Sequence, residues 1–125
     1  MKYNDIKLNA LLRGLTVRSP EGKSETAVIE NLNSRYPMSN LRPILYVLKE
    51  AGVKNIVIDL SRFSPQSRRI GLLFLEGAVS MSSDFETRYI GTTIDEISVE
   101  EPHLRGYISQ KIAKSLDEAV DSFNG

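Results

Sequence analysis

Cysteine is absent from these 125 residues, which removes disulfide scaffolds, thiolate zinc sites and cysteine nucleophiles together. An excess of charge is absent too. Sixteen Lys and Arg balance sixteen Asp and Glu, so no bulk field draws the molecule to nucleic acid or to an anionic membrane surface, and partners must be recognised locally. No apolar run approaches the length of a transmembrane helix, and Met1-Lys2-Tyr3-Asn4-Asp5 is too polar to begin a signal peptide. A cytoplasmic protein without direct membrane insertion is the expectation. His103 is the only histidine, so a catalytic triad would have to be built on it, and no serine stands in a Gly-x-Ser-x-Gly elbow. Neither a Gly-x-x-x-x-Gly-Lys loop nor a Gly-x-Gly-x-x-Gly fingerprint occurs, so nucleotide enzymes lose their usual signatures and no cofactor is implied.

What the chain does have is the length and the 41% hydrophobic content of one globular domain with its own core. Ile6, Leu8, Ala10 and Leu12 alternate as a strand with one covered face. Leu15-Thr16-Val17-Arg18, the turn residues Ser19-Pro20-Glu21-Gly22, and Glu25-Thr26-Ala27-Val28-Ile29-Glu30-Asn31-Leu32 read as a hairpin. Leu41, Ile44, Leu45, Leu48 and Ala51 fall on one stripe of a helix over 41–51, with Asn40 as its cap, Pro43 in its first turn and Gly52 at its stop.

The run Val53-Lys54-Asn55-Ile56-Val57-Ile58-Asp59-Leu60-Ser61 predicts a strand apolar on both faces, which needs cover on both. Pro65 opens a helix over 65–80 with two apolar stripes. One is Ile70, Leu73, Phe74, Gly77, Ala78 and Met81; the other is Leu72, Leu75 and Val79. Together they exceed what one sheet face hides, and burial by the chain itself is the expectation for the surplus. Thr87-Arg88-Tyr89-Ile90-Gly91-Thr92-Thr93 reads as a strand, 94–104 as a short helix or loop, and Tyr107-Ile108-Ser109-Gln110-Lys111-Ile112 as a short edge strand. Ser115-Leu116-Asp117-Glu118 is a capping box opening a last helix that buries Leu116, Ala119, Val120 and Phe123.

The candidate site is the turn between the buried strand and its helix. Asp59 at the strand's end suits capping of that turn. Ser67 stands near the helix start, where a phosphate would meet unpaired N–H groups and the positive end of the dipole. Arg62, Arg68 and Arg69 crowd a helix start that disfavours cations, and bidentate guanidinium groups there suit a phosphate, a nucleotide or an acidic partner surface. Asp95, Glu96, Glu100 and Glu101 lack metal-ligand spacing and read as a solvated face.

Three stretches resemble the STAS family, the sulphate-transporter and anti-sigma-factor-antagonist domains. They are Leu48-Lys49-Glu50-Ala51-Gly52-Val53-Lys54-Asn55-Ile56-Val57-Ile58-Asp59-Leu60-Ser61, then Ile70-Gly71-Leu72-Leu73, then Lys114-Ser115-Leu116-Asp117-Glu118-Ala119-Val120. The resemblance implies an α/β (α+β) fold, a single mixed β-sheet covered by about three to four helices. Antagonists of this family usually carry an Asp-Ser-Ser-Gly-Leu-Gly-like turn whose serine a partner kinase phosphorylates, and Gln66-Ser67-Arg68-Arg69-Ile70-Gly71 corresponds to it here. Glutamine replaces the acid and arginines replace the second hydroxyl and the first glycine, leaving Ser67 as the matching phosphoacceptor.

The resemblance therefore implies a non-enzymatic interaction module that binds a regulatory protein, an anti-sigma factor or a kinase-like protein. The contact residues would be Asp59, Ser61, Arg62, Ser64, Gln66, Ser67, Arg68, Arg69, Leu72 and Leu75. A small-ligand module holding a nucleotide or anion on Arg68 and Arg69 is the alternative, and an enzyme is the weakest reading.

Overall fold

The computed structural model describes residues 15–20, 22–31, 37–80 and 85–123, with the side chains at 37–40, 78 and 80 outside that description. The strand expected on Ile6, Leu8, Ala10 and Leu12 lies outside the described residues, as does the segment from 32 to 36. Strand β1 (Thr16–Arg18) and strand β2 (Thr26–Glu30) form the expected hairpin, with Val17 opposite Ile29. The Ser19 hydroxyl, 2.7 Å from the Lys23 carbonyl and 3.0 Å from that of Thr26, ties the loop to the strand it returns into.

Helix α1 (Pro37–Glu50) starts earlier than its apolar stripe indicates, so Asn40 is not its cap and Pro43 lies inside the helix rather than in its first turn. Proline at the first helical position is the physical reason, because its fixed φ and missing N–H fit where no intrahelical donor is needed. Gly52 ends α1 as expected: its φ is +85°, its N–H reaches the Lys49 carbonyl, and the Val53 N–H reaches that of Leu48.

Strand β3 (Asn55–Asp59) runs parallel to β2 and to strand β4 (Glu86–Ile90), giving a mixed four-stranded sheet in the order β1-β2-β3-β4 among the described residues. Both faces of β3 are covered, as its unbroken apolar run requires. Ile56 and Ile58 pack with Leu41, Ile44 and Leu48 of α1 and with Leu72, Leu75 and Val79 of helix α2 (Pro65–Ser80). Val57 faces the other way, into a smaller core with Val28, Ala119 and Val120. Each such aliphatic side chain removed from water contributes about 1.5–3 kcal/mol, so this central strand anchors both layers.

Past β4 come a one-turn helix α3 (Ile94–Ile97), helix α4 (Pro102–Lys111) and helix α5 (Leu116–Ser122). The edge strand expected over 107–112 is therefore helix down to Lys111, and only Ile112 makes a parallel bridge, to Tyr89. Glu101 decides it: its carboxylate accepts from the His103 and Leu104 N–H groups, and Pro102 follows at the first helical position. The capping box is in place on α5, where the Ser115 hydroxyl accepts from the Glu118 N–H at 3.2 Å.

A third correction concerns α2. Leu72, Leu75 and Val79 are fully buried, whereas Ile70 is 72% and Phe74 55% exposed. At about 100° per residue the two stripes lie on opposite sides of the helix, and only one can face the sheet. Leu73 of the surplus stripe is half-buried and packs against the main core, but Ile70 and Phe74 are left exposed, so among the described residues burial by the chain reaches only part of the surplus.

Candidate functional site

The three parallel strands all end on one edge of the sheet, where β3 runs into the turn at 60–64 and β4 into the loop at 91–93. Ligand and partner sites in parallel sheets gather outside such carboxyl ends. Leu60 continues the pairing for one step, its N–H donating to the Ile90 carbonyl at 2.9 Å. The Asp59 carboxylate then accepts from the Ser61 N–H at 2.8 Å, which is the capping role expected of it. Gly91 meets this turn from β4. With φ at +80°, a Cβ there would stand 2.5 Å from the Ser61 nitrogen and 2.6 Å from the Asp59 carboxylate, so only glycine lets the two loops close.

Phe63 turns inward and is buried, while Ser61, Arg62, Ser64 and Gln66 point to solvent. Ser64 is the last residue before α2, and its carbonyl accepts from the Ser67 and Arg68 N–H groups. The Ser64 hydroxyl donates to the Ser67 hydroxyl at 2.9 Å, placing the phosphoacceptor candidate in the first turn of a sixteen-residue helix. Arg69 is exposed.

Arg68 behaves differently from its neighbours. Its guanidinium donates to the Phe63 carbonyl at 3.1 Å, to the Ser61 carbonyl at 3.2 Å and to the Glu96 carboxylate at 2.7 Å. The side chain is only 16% exposed, and it stitches the turn to α3 rather than offering a fork to solvent. An anion could take Arg68 only by displacing Glu96, so the small-ligand alternative loses the guanidinium it relied on most. The cation near a helix start that local helix stability does not explain is explained by this staple.

Glu96 is the residue that sequence reading missed. Its carboxylate also accepts from the Thr92 hydroxyl at 2.9 Å, and the hydrogen bond from Arg68, backed by that from Thr92, holds its carboxyl below the usual carboxylate range. A signal was present: Thr93-Ile94-Asp95-Glu96 is a capping-box pattern, and the Thr93 hydroxyl does accept from the Glu96 N–H. Asp95 pairs with Arg105 at 2.8 Å and Glu101 caps α4, while Asp95, Glu100 and Glu101 all lie in solvent, as expected of a solvated face. Among the described residues no group of three or more acids, histidines or cysteines is placed to hold a metal.

Leu72 and Leu75, expected as contact residues, are buried and have no surface to offer. The accessible apolar groups beside the turn are Ile70 and Phe74, one helical turn apart. His103 is exposed at the start of α4 and lies on a different element from Asp59. Among the described residues no helix is long and apolar enough to cross a membrane. The fold and this edge define a mixed α/β protein with an exposed strand-to-helix turn. Compared with family models, with curated proteins and with solved structures, the chain matches none.

Proposed function

We propose that this chain is a non-enzymatic, cytoplasmic regulatory module of the STAS type. It docks a regulatory protein, an anti-sigma factor or a kinase-like protein, through the turn at 61–71 and the outward side of α2. The observation that carries the reading is the continuity of Ser61, Arg62, Ser64, Gln66 and Arg69, all exposed, with exposed Ile70 and Phe74 on the same helix. A polar, basic rim beside an apolar stripe is the composition of a docking face. The staple through Arg68 holds the turn in one geometry, which lowers the ordering cost of binding.

Ser67 is the phosphoacceptor in this reading. A phosphate there would add roughly two negative charges in the first turn of α2, where the dipole favours them, and would change the face presented to a partner.

Affinity capture from native lysate with wild type, Ser67→Glu and Ile70→Asp side by side tests the proposal, followed by titration of the recovered protein against each purified variant. A partner retained by wild type and lost from Ile70→Asp is expected. If wild type retains nothing, or Ile70→Asp binds the same protein as tightly, the docking face fails; equal binding by Ser67→Glu removes the serine switch alone.

A further inference from the structure

Helix α4 is held to the fold unlike α1 and α2. Ile108 is the one buried residue of its ten, whereas α1 buries Leu41, Ile44 and Leu48 and α2 buries Leu72, Leu75 and Val79. Its other ties to the body are polar. Tyr107 and Lys111, one turn apart, both reach Glu76 of α2, and Arg105 reaches Asp95 and the Val99 carbonyl. We infer that α4 is a strap: it opens from α2 and β4 as one unit while the rest of the fold stays closed, with Glu76 as its latch.

The two oxygens of the latch are divided between the elements it joins. Glu76 Oε2 accepts from the Thr87 hydroxyl at 3.0 Å and from the Tyr89 phenol at 2.7 Å, both on β4. Glu76 Oε1 accepts from the Tyr107 phenol at 2.6 Å and pairs with the Lys111 ammonium at 3.2 Å, both on α4. Lifting α4 therefore breaks the Oε1 half and leaves the carboxylate held to β4. The freed Oε1 meets water, and the Tyr107 phenol and the Lys111 ammonium leave with the helix into solvent. No charge is stranded in the interior, which is what makes the opening cheap compared with removing Glu76 itself.

A second feature weakens the helix itself. Gly106 stands in the middle of α4 without a positive φ, and a Cβ there would meet nothing within 4 Å. Neither backbone nor packing asks for glycine, the poorest helix former after proline. The strap is tied at both ends, because Val99 before it and Ala113 after it are buried, and the Ala113 N–H donates to the Tyr89 carbonyl at 2.9 Å. A ten-residue helix does not persist alone in water, so lifting α4 also melts it and frees its amides. The opening uncovers the side of α2 that carries Leu73 and Glu76, since Leu73 lines one cleft with Leu104 of α4. On the docking reading this adds Leu73 to the stripe of Ile70 and Phe74; the opening itself does not rest on that reading.

Native-state hydrogen exchange of the full chain, followed amide by amide by NMR at urea concentrations below the unfolding transition, tests this. The amides of 105–111 should share one protection factor, at least about tenfold below that of 56–58 in β3, and should depend less on urea. Tyr107→Phe and Lys111→Met should each speed exchange across 105–111 by about tenfold, and Gly106→Ala should slow it by about threefold. Val28→Ala lies in the smaller core on the other face of the sheet. It should speed exchange of 56–58 by at least about tenfold and leave 105–111 unchanged, because that core is intact whether the strap is open or closed. The inference is overturned if 105–111 and 56–58 share one protection and one urea dependence, or if Val28→Ala speeds both alike. Protection that falls off residue by residue from one end of α4 is fraying and overturns it too, as does unchanged exchange in both Tyr107→Phe and Lys111→Met. Exchange is read with no partner present, so docking at 61–71 can fail while the strap stands, and the reverse.

Discussion

Gly71 lies directly under the ring of Phe63: a Cβ added at Gly71 would overlap Phe63 Cε2 and come within 2.9 Å of its Cδ2. Phe63 is the inward anchor of the β3–α2 turn and is 2% exposed, so the glycine is what lets the turn seat against the helix it starts. Gly71→Ala should destabilise the protein by about 1–3 kcal/mol through overpacking. Urea melts of Gly71→Ala, Phe63→Leu and the double variant check this, because the cost of the alanine should shrink once the ring is gone.

A buried carboxylate gives the second expectation. Glu76 of α2 is 6% exposed and accepts from Thr87 at 3.0 Å, Tyr89 at 2.7 Å and Tyr107 at 2.6 Å, with the Lys111 ammonium at 3.2 Å. It joins α2, β4 and α4 at one point. Glu76→Ala should cost about 3–5 kcal/mol, since it strands the buried Tyr89 phenol and the largely buried Lys111 ammonium. Burial, and then the Glu76 carboxylate beside it, pushes the Tyr89 phenol well above its usual value. A raised tyrosine keeps its full contribution below about pH 10, where the unfolded phenol is still neutral, and loses it as pH rises further. The wild type should therefore lose stability above that pH more steeply than Tyr89→Phe, read from urea midpoints across the alkaline range.

These two sites show where sequence reading reached and where it stopped. The run through Ile56, Val57 and Ile58 declares a strand covered on both faces because backbone alternation leaves no other use for it, and Ser115 with Glu118 declares a helix start because the partners are local. The Glu76 cluster is invisible in the same sense that the capping box is visible. Its partners come from β4 and α4, and an acid amid an apolar helix looks like any exposed position until those elements close over it. Helix α4 was hidden for another reason: only Ile108 of it is buried, so it has no apolar stripe, and Tyr107-Ile108-Ser109-Gln110 alternates as a strand would. In the turn itself, the exposure of Ser61, Arg62 and Ser64 follows from local polarity. The capture of Arg68 by Glu96, 28 residues on, does not.

That capture sets a third expectation, on pH. The hydrogen bond from Arg68 lowers the Glu96 carboxyl below its unfolded value. A depressed carboxylate contributes its full stability above the unfolded pKa, near 4.3, and loses it as pH falls through the lower folded value. Wild type should exceed Glu96→Gln in melting temperature by a constant margin at neutral pH, and the margin should close below about pH 4.5. Arg68→Met should reduce that pH dependence of the margin, because the larger of the groups that depress the carboxyl is gone while the Thr92 hydroxyl remains. A margin that stays constant down to pH 2 in wild type would separate the staple from the stability of the turn.

The outer and inner sides of α2 give the last expectation, and it bears on whether the helix is a docking element. Leu72 and Leu75 are fully buried against Ile56 and Ile58, so Leu72→Ala or Leu75→Ala should cost about 2–5 kcal/mol by leaving a cavity. Ile70 and Phe74 lie mostly in solvent, and replacing either with Asp should change stability by no more than about 0.5 kcal/mol. Two large apolar groups in water one turn apart, beside a turn held by the part-buried Arg68, contribute little to folding. Ile70→Asp and Phe74→Asp should therefore melt like wild type and yet lose the captured partner, with dissociation accelerated more than association is slowed. If instead both variants unfold at lower denaturant by the margin expected of core positions, the outward side of α2 is part of the protein's own interior and cannot be its contact with another.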